Sequence, residues 1–199
     1  MMLGINGLEN VPRHMQPDEA EALQRMARNV RERVGDKALA CEVGAYHGFT
    51  TLVIAQEMPV WSIDLGGDLL HGAAEMTKAG LETWEPFIVR MLSRGLIPDR
   101  VKPICSTSDF LLSINEPLFD LILVDADHSY EWCLRDLRNT ARLAKPGCII
   151  AVHDFYPGRT MDEGYGVHQA CETFLAEAPR WEDAGLVTTM QFYRNTEGS

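Results

Sequence analysis

The sequence predicts a doubly wound α/β fold: a mostly parallel, seven-stranded sheet with helices on both faces and an antiparallel strand at its C-terminal end. Short apolar runs rich in branched residues, which are typical of buried strands, alternate with longer segments of helical periodicity. Strands joined through helices form parallel sheets with right-handed crossovers. The chain has 199 residues, of which 46% are hydrophobic, and contains no internal repeat or Pro/Gly/Ser linker. We therefore expect one domain over residues 1–199.

The predicted elements follow in order from the N-terminus. Pro17, followed by acidic residues at positions 18, 19 and 21, is typical of the first turn of a helix that ends at Gly35, so residues 1–34 are expected to be a helical extension. Five strands are expected at Ala38–Val43, Val60–Ile63, Val101–Ile104, Phe119–Val124 and Cys148–Val152. Helices are expected at Thr50–Glu57, after the first strand, and at Tyr130–Leu143, after the fourth. The final strand is expected at Leu186–Arg194, antiparallel to Trp181–Ala184.

Residues 65–96 form a segment longer than one crossover helix requires. Its pattern predicts helices over Asp68–Lys78 and Glu82–Arg94, separated by Gly80. The segment either shapes a substrate pocket or is an ordinary pair of surface helices. The sequence leaves both interpretations open.

The composition limits the class of partner. Lys and Arg total 18 against 29 Asp and Glu, and the net charge of −11 repels polyanions such as nucleic acids. No apolar run approaches the ~20 residues that span a bilayer, and the first residues lack a secretory signal pattern, so we expect a cytoplasmic protein without a membrane partner. The five cysteines contain no CxxC pair, which favours buried, reduced thiols. Formation of a homodimer is left open.

The segment EVGAYHGFT, residues 42–50, joins the first strand to the next helix. In open α/β sheets ligands bind beyond the carboxyl ends of strands, where glycines such as Gly44 and Gly48 let the backbone approach them. The spacing is GxxxG, whereas a nicotinamide cofactor is normally bound by GxGxxG. Asp64 ends the second strand 20 positions after Gly44, where Rossmann-like folds place a carboxylate for ribose hydroxyls. Its alternative role is that of a helix cap.

Polar residues also follow the later strands. Thr107, Ser108 and Asp109 either meet the edge of an adenine or cap the helix that follows them. Beyond the fourth and fifth strands come Asp125, Asp127 and His128, then His153 and Asp154. Because these strands end at the same edge of the sheet, their carboxylates should lie close together. Such a cluster requires a compensating cation or solvent.

Four motifs together resemble a known family. They are EVGAYHGFTT from residue 42, VDADHSY at residues 124–130, LAKPGCIIAVHDF at 143–155 and GVHQACETF at 166–174. With them the chain resembles class I methyltransferases that depend on S-adenosylmethionine (SAM), near the catechol O-methyltransferase group and the bacterial macrocin and sugar-modifying enzymes. The resemblance implies a Rossmann-like fold and methyl transfer to a hydroxyl group of a small molecule or sugar.

The resemblance also implies roles for individual residues. For the methionine part of SAM, the resemblance implies contacts with Glu42, Gly44, Ala45, Tyr46 and Gly48, with Asp125 beside them. Asp64 would bind the ribose. The adenine would contact Thr107, Ser108 and Asp109. In the catechol-type enzymes a divalent metal chelates the substrate oxygens. Asp125 and Asp154 match two ligand positions of that metal, and His153 stands where those enzymes have a carboxylate. Since Mg²⁺ prefers oxygen ligands, this difference leaves magnesium, manganese or no metal open.

His128 is the candidate general base, with Asp125 and Asp154 as its catalytic neighbours. An unperturbed histidine pKa near 6.5 suits proton acceptance at neutral pH, and the residue aligns with the catalytic lysine of the catechol-type enzymes. The competing interpretation is that His128 caps the helix that starts near Tyr130. Two rival functions are also retained, a nicotinamide-dependent oxidoreductase and a non-catalytic SAM-binding module. The loop at residues 156–165 is expected to be a lid over the acceptor.

Overall fold

The computed structural model describes residues 8, 10–65, 87–97, 99–158 and 166–197. Its seven strands, β1 to β7 in chain order, are Ala40–Val43, Val60–Asp64, Val101–Cys105, Phe119–Val124, Ala144–Val152, Trp181–Val187 and Met190–Asn195. The helices are α1 at Pro17–Val34, α2 at Phe49–Ala55, α3 covering residues 87–93, α4 at Tyr130–Ala141 and α5 at Val167–Glu177. A 3-10 turn occupies Ser108–Ser113.

The strands form one sheet in the order β3-β2-β1-β4-β5-β7-β6. Strands β1 to β5 pair in parallel, and β7 pairs antiparallel with both β5 and β6. From β1 the chain first builds outward through β2 and β3, then returns to the other side of β1 with β4. The carboxyl ends of β1 and β4 therefore lie side by side at the point where strand order reverses. This is where open α/β sheets bind their ligands.

Helices cover both faces of the sheet, as expected. Helices α1, α2 and α3 contribute Leu23, Leu52 and Phe87 to one hydrophobic core, and α4 and α5 contribute Leu137 and Phe174 to the other. All of these side chains are buried, which gives the fold most of its stability. In the part of the chain that the structure describes, no helix combines the length and apolar character needed to cross a membrane.

The predicted boundaries agree closely for α1 and β4, whereas the C-terminal prediction needs correction. The single strand expected at residues 186–194 is broken by a turn at Thr188 and Thr189, so that β6 and β7 form a tight hairpin. Thr188 has a φ of 53°, an uncommon conformation for a β-branched residue, and its hydroxyl donates to Asp18 Oδ2 at 2.7 Å. The turn contains no glycine or asparagine from which it could be predicted. The hydrogen bond to Asp18 of α1 stabilises it instead.

Two other expectations fall partly or wholly outside the described residues. The helix at residues 68–78 lies outside them, as does most of the proposed lid, whereas residues 87–93 of the second inserted helix are helical. All five cysteines are free; four are buried, but Cys105 is exposed, because its position in β3 belongs to an edge strand.

Candidate active site

Gly44 lies at the contact between the loops that follow the two central strands, β1 and β4. Its φ of +94° favours glycine, and a Cβ there would overlap the carbonyl oxygen of Asp125 and lie 2.7 Å from Ala126 Cα. The loop after β1 therefore packs backbone to backbone against the loop after β4. Gly48, with a φ of +81°, is the N-cap of α2, and a Cβ there would meet Met91 of α3 at 2.6 Å. Gly44 thus lies at the predicted ligand edge, whereas Gly48 makes room for α3.

Asp64 holds the loop after β1 from the neighbouring strand. Its Oδ2 accepts hydrogen bonds from the backbone N–H groups of Ala45 at 2.7 Å and Tyr46 at 2.8 Å. Tyr46 has a φ of 46°, and its ring makes T-shaped contacts with the rings of His14 and His47. The carboxylate expected at the cofactor ribose therefore also determines the shape of the glycine loop.

Glu42 lies beneath this loop and not at its surface. Its side chain is buried and accepts hydrogen bonds from the hydroxyls of Thr50, Thr51 and Ser62. Burial raises its pKa to about 7, although those three hydrogen bonds act in the opposite direction. In this structure the carboxylate joins β1, α2 and β2 inside the protein, and the expected contact with the methionine part of a cofactor stays a prediction.

Of the two interpretations given to the residues after β3, the structure shows the cap. Thr107 caps the 3-10 turn by accepting from the N–H of Asp109 at 3.3 Å. The Ser108 hydroxyl is buried and donates to Asp136 at 2.6 Å, so its side chain faces α4. Asp109 is ion-paired with Arg135. The cap is therefore present, and an adenine could meet this segment only through its backbone or through Thr107 and Asp109.

Asp125, His128 and Asp154 converge as expected from two strand ends. His128 Nε2 lies 3.1 Å from Asp154 Oδ2 and 3.9 Å from Asp125 Oδ1. Asp154 adopts a φ of 55°, a conformation that few residues tolerate, and its other oxygen accepts from Tyr156 Oη at 3.1 Å. The His128 side chain is 40% exposed, so it is open to the cavity and to solvent.

His153 occupies a different place from the one expected. It is buried, with Nδ1 lying 3.1 Å from Asp125 Oδ1 and 3.3 Å from Asp154 Oδ2, and Nε2 lying 3.1 Å from Glu19 Oε2. Both ring nitrogens already face carboxylates. The group of possible ligand atoms that the described residues bring together does not include His153, so its place at a metal stays a prediction.

That group contains His128 in place of His153. One ligand atom each from Asp125, His128 and Asp154 lies within 4.8 Å of the other two, so the three could share one ion. The donor set of two carboxylates and one imidazole suits manganese better than magnesium.

The charges of the cluster shift the pKa values of its members. Burial disfavours the protonated form of His153, but hydrogen bonds to Asp125 and Asp154 outweigh it and raise the pKa to about 11. Asp125, and then Asp154, also raise the pKa of His128, against an opposing effect of burial. The pKa values of both aspartates are lowered, since the histidines overcome the effect of burial. The cluster therefore favours an imidazolium ring at His153 between ionised carboxylates.

A cavity of about 450 Å³ joins the glycine loop to this cluster, a size typical of small-molecule sites. Of the residues predicted to be functional, those lining it are Gly44, Ala45, Tyr46, Asp125, His128, His153 and Asp154. Among the described residues, the remaining predicted positions do not line it: Glu42, Gly48, Asp64, Thr107, Ser108 and Asp109.

The sequence analysis missed the N-terminal contribution to the site. Pro12, Arg13, His14 and Met15 form one wall of the cavity. Glu19, read from the sequence only as an acidic residue of a helix first turn, reaches His153. Gln16 and Glu19 do form a capping box, a pattern visible in the sequence, but it predicts a helix start and not a site.

The described chain is similar in fold to several solved structures. The cofactor-bound protein Rv0187 from MTB has a TM-score of 0.68 and 19% identity, with 97% of this chain and 86% of that chain covered. A putative O-methyltransferase from Klebsiella pneumoniae has a TM-score of 0.67 and 22% identity, covering 96% and 85%. An O-methyltransferase from Bacillus cereus, solved with S-adenosylhomocysteine (SAH), has a TM-score of 0.62 and 21% identity, covering 96% and 86%.

These likenesses show the fold. No curated protein sequence matches the chain. A family model described as a methyltransferase domain matches residues 41–155, which include both central strand ends and more than half of the chain. The chain therefore belongs to this family of methyltransferase domains.

Proposed function

We propose that this chain, acting as one domain, transfers the methyl group of SAM to a hydroxyl group of a small molecule or sugar. The proposal rests on one observation: the glycine loop at Gly44–Tyr46 and the cluster of Asp125, His128 and Asp154 line the same cavity. Methyl transfer requires an acceptor oxygen in line with the sulfonium methyl group and a group that takes its proton. One cavity thus supplies a place for each reactant.

The cofactor is assigned to the glycine-loop side of the cavity. The positive φ of Gly44 turns the backbone at the wall of the cavity, and open α/β sheets bind their ligands at this edge. The solved relative from Bacillus cereus contains SAH, the product that remains after methyl transfer from SAM. The oxidoreductase alternative is disfavoured by the family match and by the GxxxG spacing.

The acceptor is assigned to the Asp125–His128–Asp154 side. With Nε2 next to Asp154 at 3.1 Å, the proton-accepting nitrogen of a neutral His128 is Nδ1. The two aspartates orient the ring and stabilise the imidazolium that forms when it accepts the hydroxyl proton. An oxygen acceptor agrees with the relatives described as O-methyltransferases.

A second arrangement is favoured by the three converging ligand atoms, which would allow Asp125, His128 and Asp154 to hold a divalent cation. Such a cation lowers the pKa of a hydroxyl bound to it. In that case His128 binds the cation and does not take the proton. Titration of Mn²⁺ alone, with Asp154→Asn as the comparison, separates the two arrangements, because only the second predicts binding that the substitution abolishes.

The test of the proposed function is isothermal titration of SAM, SAH and NAD into the purified protein. We expect micromolar binding of SAM and SAH and no binding of NAD. Transfer of labelled methyl groups from SAM to a panel of sugars and small hydroxylated molecules then identifies the acceptor. Binding of NAD without SAM or SAH would overturn the proposal, and binding of SAH with no transfer to any acceptor would favour the non-catalytic module.

A further inference from the structure

Glu19 is a buried carboxylate in the first turn of α1. Its side chain is 1% exposed. Oε1 accepts hydrogen bonds from Thr189 N at 2.8 Å and Thr189 Oγ1 at 2.7 Å. Oε2 accepts from Gln16 N at 2.8 Å and lies 3.1 Å from His153 Nε2. One carboxylate therefore joins the N-terminal helix, the β6–β7 turn and the end of β5.

The contact with His153 determines what that ring presents to the cavity. Imidazole is rigid and planar, so an anchor at Nε2 restricts Nδ1 to a narrow range of positions. Nδ1 lies 3.1 Å from Asp125 Oδ1 and 3.3 Å from Asp154 Oδ2, and thus between the two aspartates of the cluster. Without Glu19, the ring would have a partner on one side only and could turn about its Cβ–Cγ bond.

A purely structural role does not explain this carboxylate. Asp18, its neighbour in the chain, already ties α1 to the hairpin by accepting from the Thr188 hydroxyl at 2.7 Å, and it does so at the surface. The helix cap through Gln16 N and the two hydrogen bonds from Thr189 account for three of the four partners of the Glu19 carboxylate. Its distinctive contact is the one with His153.

We propose that Glu19 is a positioning residue of the methyl-transfer site, which holds His153 so that Nδ1 fixes the relative placement of Asp125 and Asp154. The inference rests on the proposed function for its catalytic consequence, and on the geometry alone for its effect on His153. It makes α1 a part of the active site and not an extension beside it.

The experiment compares Glu19→Gln with Thr188→Ala, which removes the neighbouring hydrogen bond between the same helix and the same hairpin. The amide keeps the size of the side chain but cannot accept hydrogen bonds on both of its terminal atoms. We expect Glu19→Gln to lower kcat by about 10-fold or more, the usual effect of removing a partner that orients a functional histidine, with KM for SAM within about two-fold of wild type. Thr188→Ala should lower the melting temperature without changing kcat.

A second readout is independent of turnover. In protein labelled with ¹⁵N-histidine, the His153 ring signals, assigned by their loss in His153→Asn, should move in Glu19→Gln and stay in place in Thr188→Ala. If Glu19→Gln does not fold, Glu19→Asp gives the same test, since its shorter carboxylate withdraws from His153 while keeping its charge.

The outcomes separate the two proposals. Wild-type kcat and unmoved His153 signals in the Glu19 variant would overturn the positioning role. A wild-type protein that binds no SAH would instead overturn the proposed function, and the ¹⁵N signals would still report whether Glu19 orients His153.

Discussion

Gly44→Ala tests whether the two strand-end loops are locked together by their backbones. The added Cβ would overlap the Asp125 carbonyl oxygen, lie 2.5 Å from its carbon and come 2.7 Å from Ala126 Cα. All three atoms belong to the backbone, so no side chain can rotate away to make room. The loops after β1 and β4 must therefore separate, or the protein loses stability.

The magnitude has two parts. A residue other than glycine at a φ of +94° costs about 1 to 3 kcal/mol. Overlap with tightly packed atoms adds about 1 to 3 kcal/mol. Gly35→Ala is the matched control, because Gly35 has a φ of +83° and nothing lies within 4 Å of its added Cβ. The difference between the two variants isolates the contact with Asp125.

The assay is urea unfolding, with melting temperature as a second measure. We expect Gly44→Ala to lose about 1 to 3 kcal/mol more than Gly35→Ala, which is about 2 to 12 °C for a domain of this size. SAH affinity should fall in Gly44→Ala only, since the separated loop carries the cofactor side of the cavity. Equal losses of stability in the two variants would refute the locked-loop interpretation.

Three further predictions concern single side chains. The first concerns Glu42, whose raised pKa means that wild type loses stability as the pH rises from about 4.5 to about 7, because the carboxyl stabilises the fold only while it is protonated. Glu42→Gln cannot ionise, so it should gain stability relative to wild type over this range. The shift in pKa from 4.5 to about 7 corresponds to about 3 kcal/mol. A pH-independent difference in urea unfolding would contradict it. His128→Gln should lower turnover by about 100-fold and leave SAH affinity unchanged, whereas His168→Gln, at a half-buried position of α5 that does not line the cavity, should do neither. Equal turnover in both histidine variants would remove His128 from the chemistry. Asp64→Ala should weaken SAH binding by about 1.5 to 3 kcal/mol in calorimetry, and the exposed Asp36→Ala should not; unchanged binding would place Asp64 outside the cofactor site.

Local signals were sufficient for most of the fold. Pro17 and the acidic residues after it mark the start of α1, and the branched residues of β4 predict its bounds without error. The convergence of Asp125, His128 and Asp154 was also predictable, since parallel strands end at one edge of the sheet. These features depend on residues close in sequence or on a general rule of topology.

The missed features depend on contacts between distant parts of the chain. His153 was expected at the metal because it matches a ligand position of the catechol-type enzymes, but its ring is buried and contacts Glu19, 134 positions earlier. The direction of the Glu42 side chain was equally hidden, because the hydroxyls that satisfy it come from α2 and β2. The hairpin turn at Thr188 is made of residues typical of strands and is held by Asp18. A local pattern carries no information about such partners.

The junction between Glu19 and Thr189 has a consequence for the order in which the protein is made. These residues are 170 positions apart, so the helix that carries the carboxylate emerges from the ribosome long before the turn that completes its hydrogen bonds. Contacts so distant in sequence form late in folding, after the costly closure of the intervening chain. A nascent chain that stops short of Thr189 already contains Asp125, His128 and Asp154, yet the carboxylate beside His153 lacks the partners that hold it. Translation must pass the β6–β7 turn before the site reaches its final arrangement.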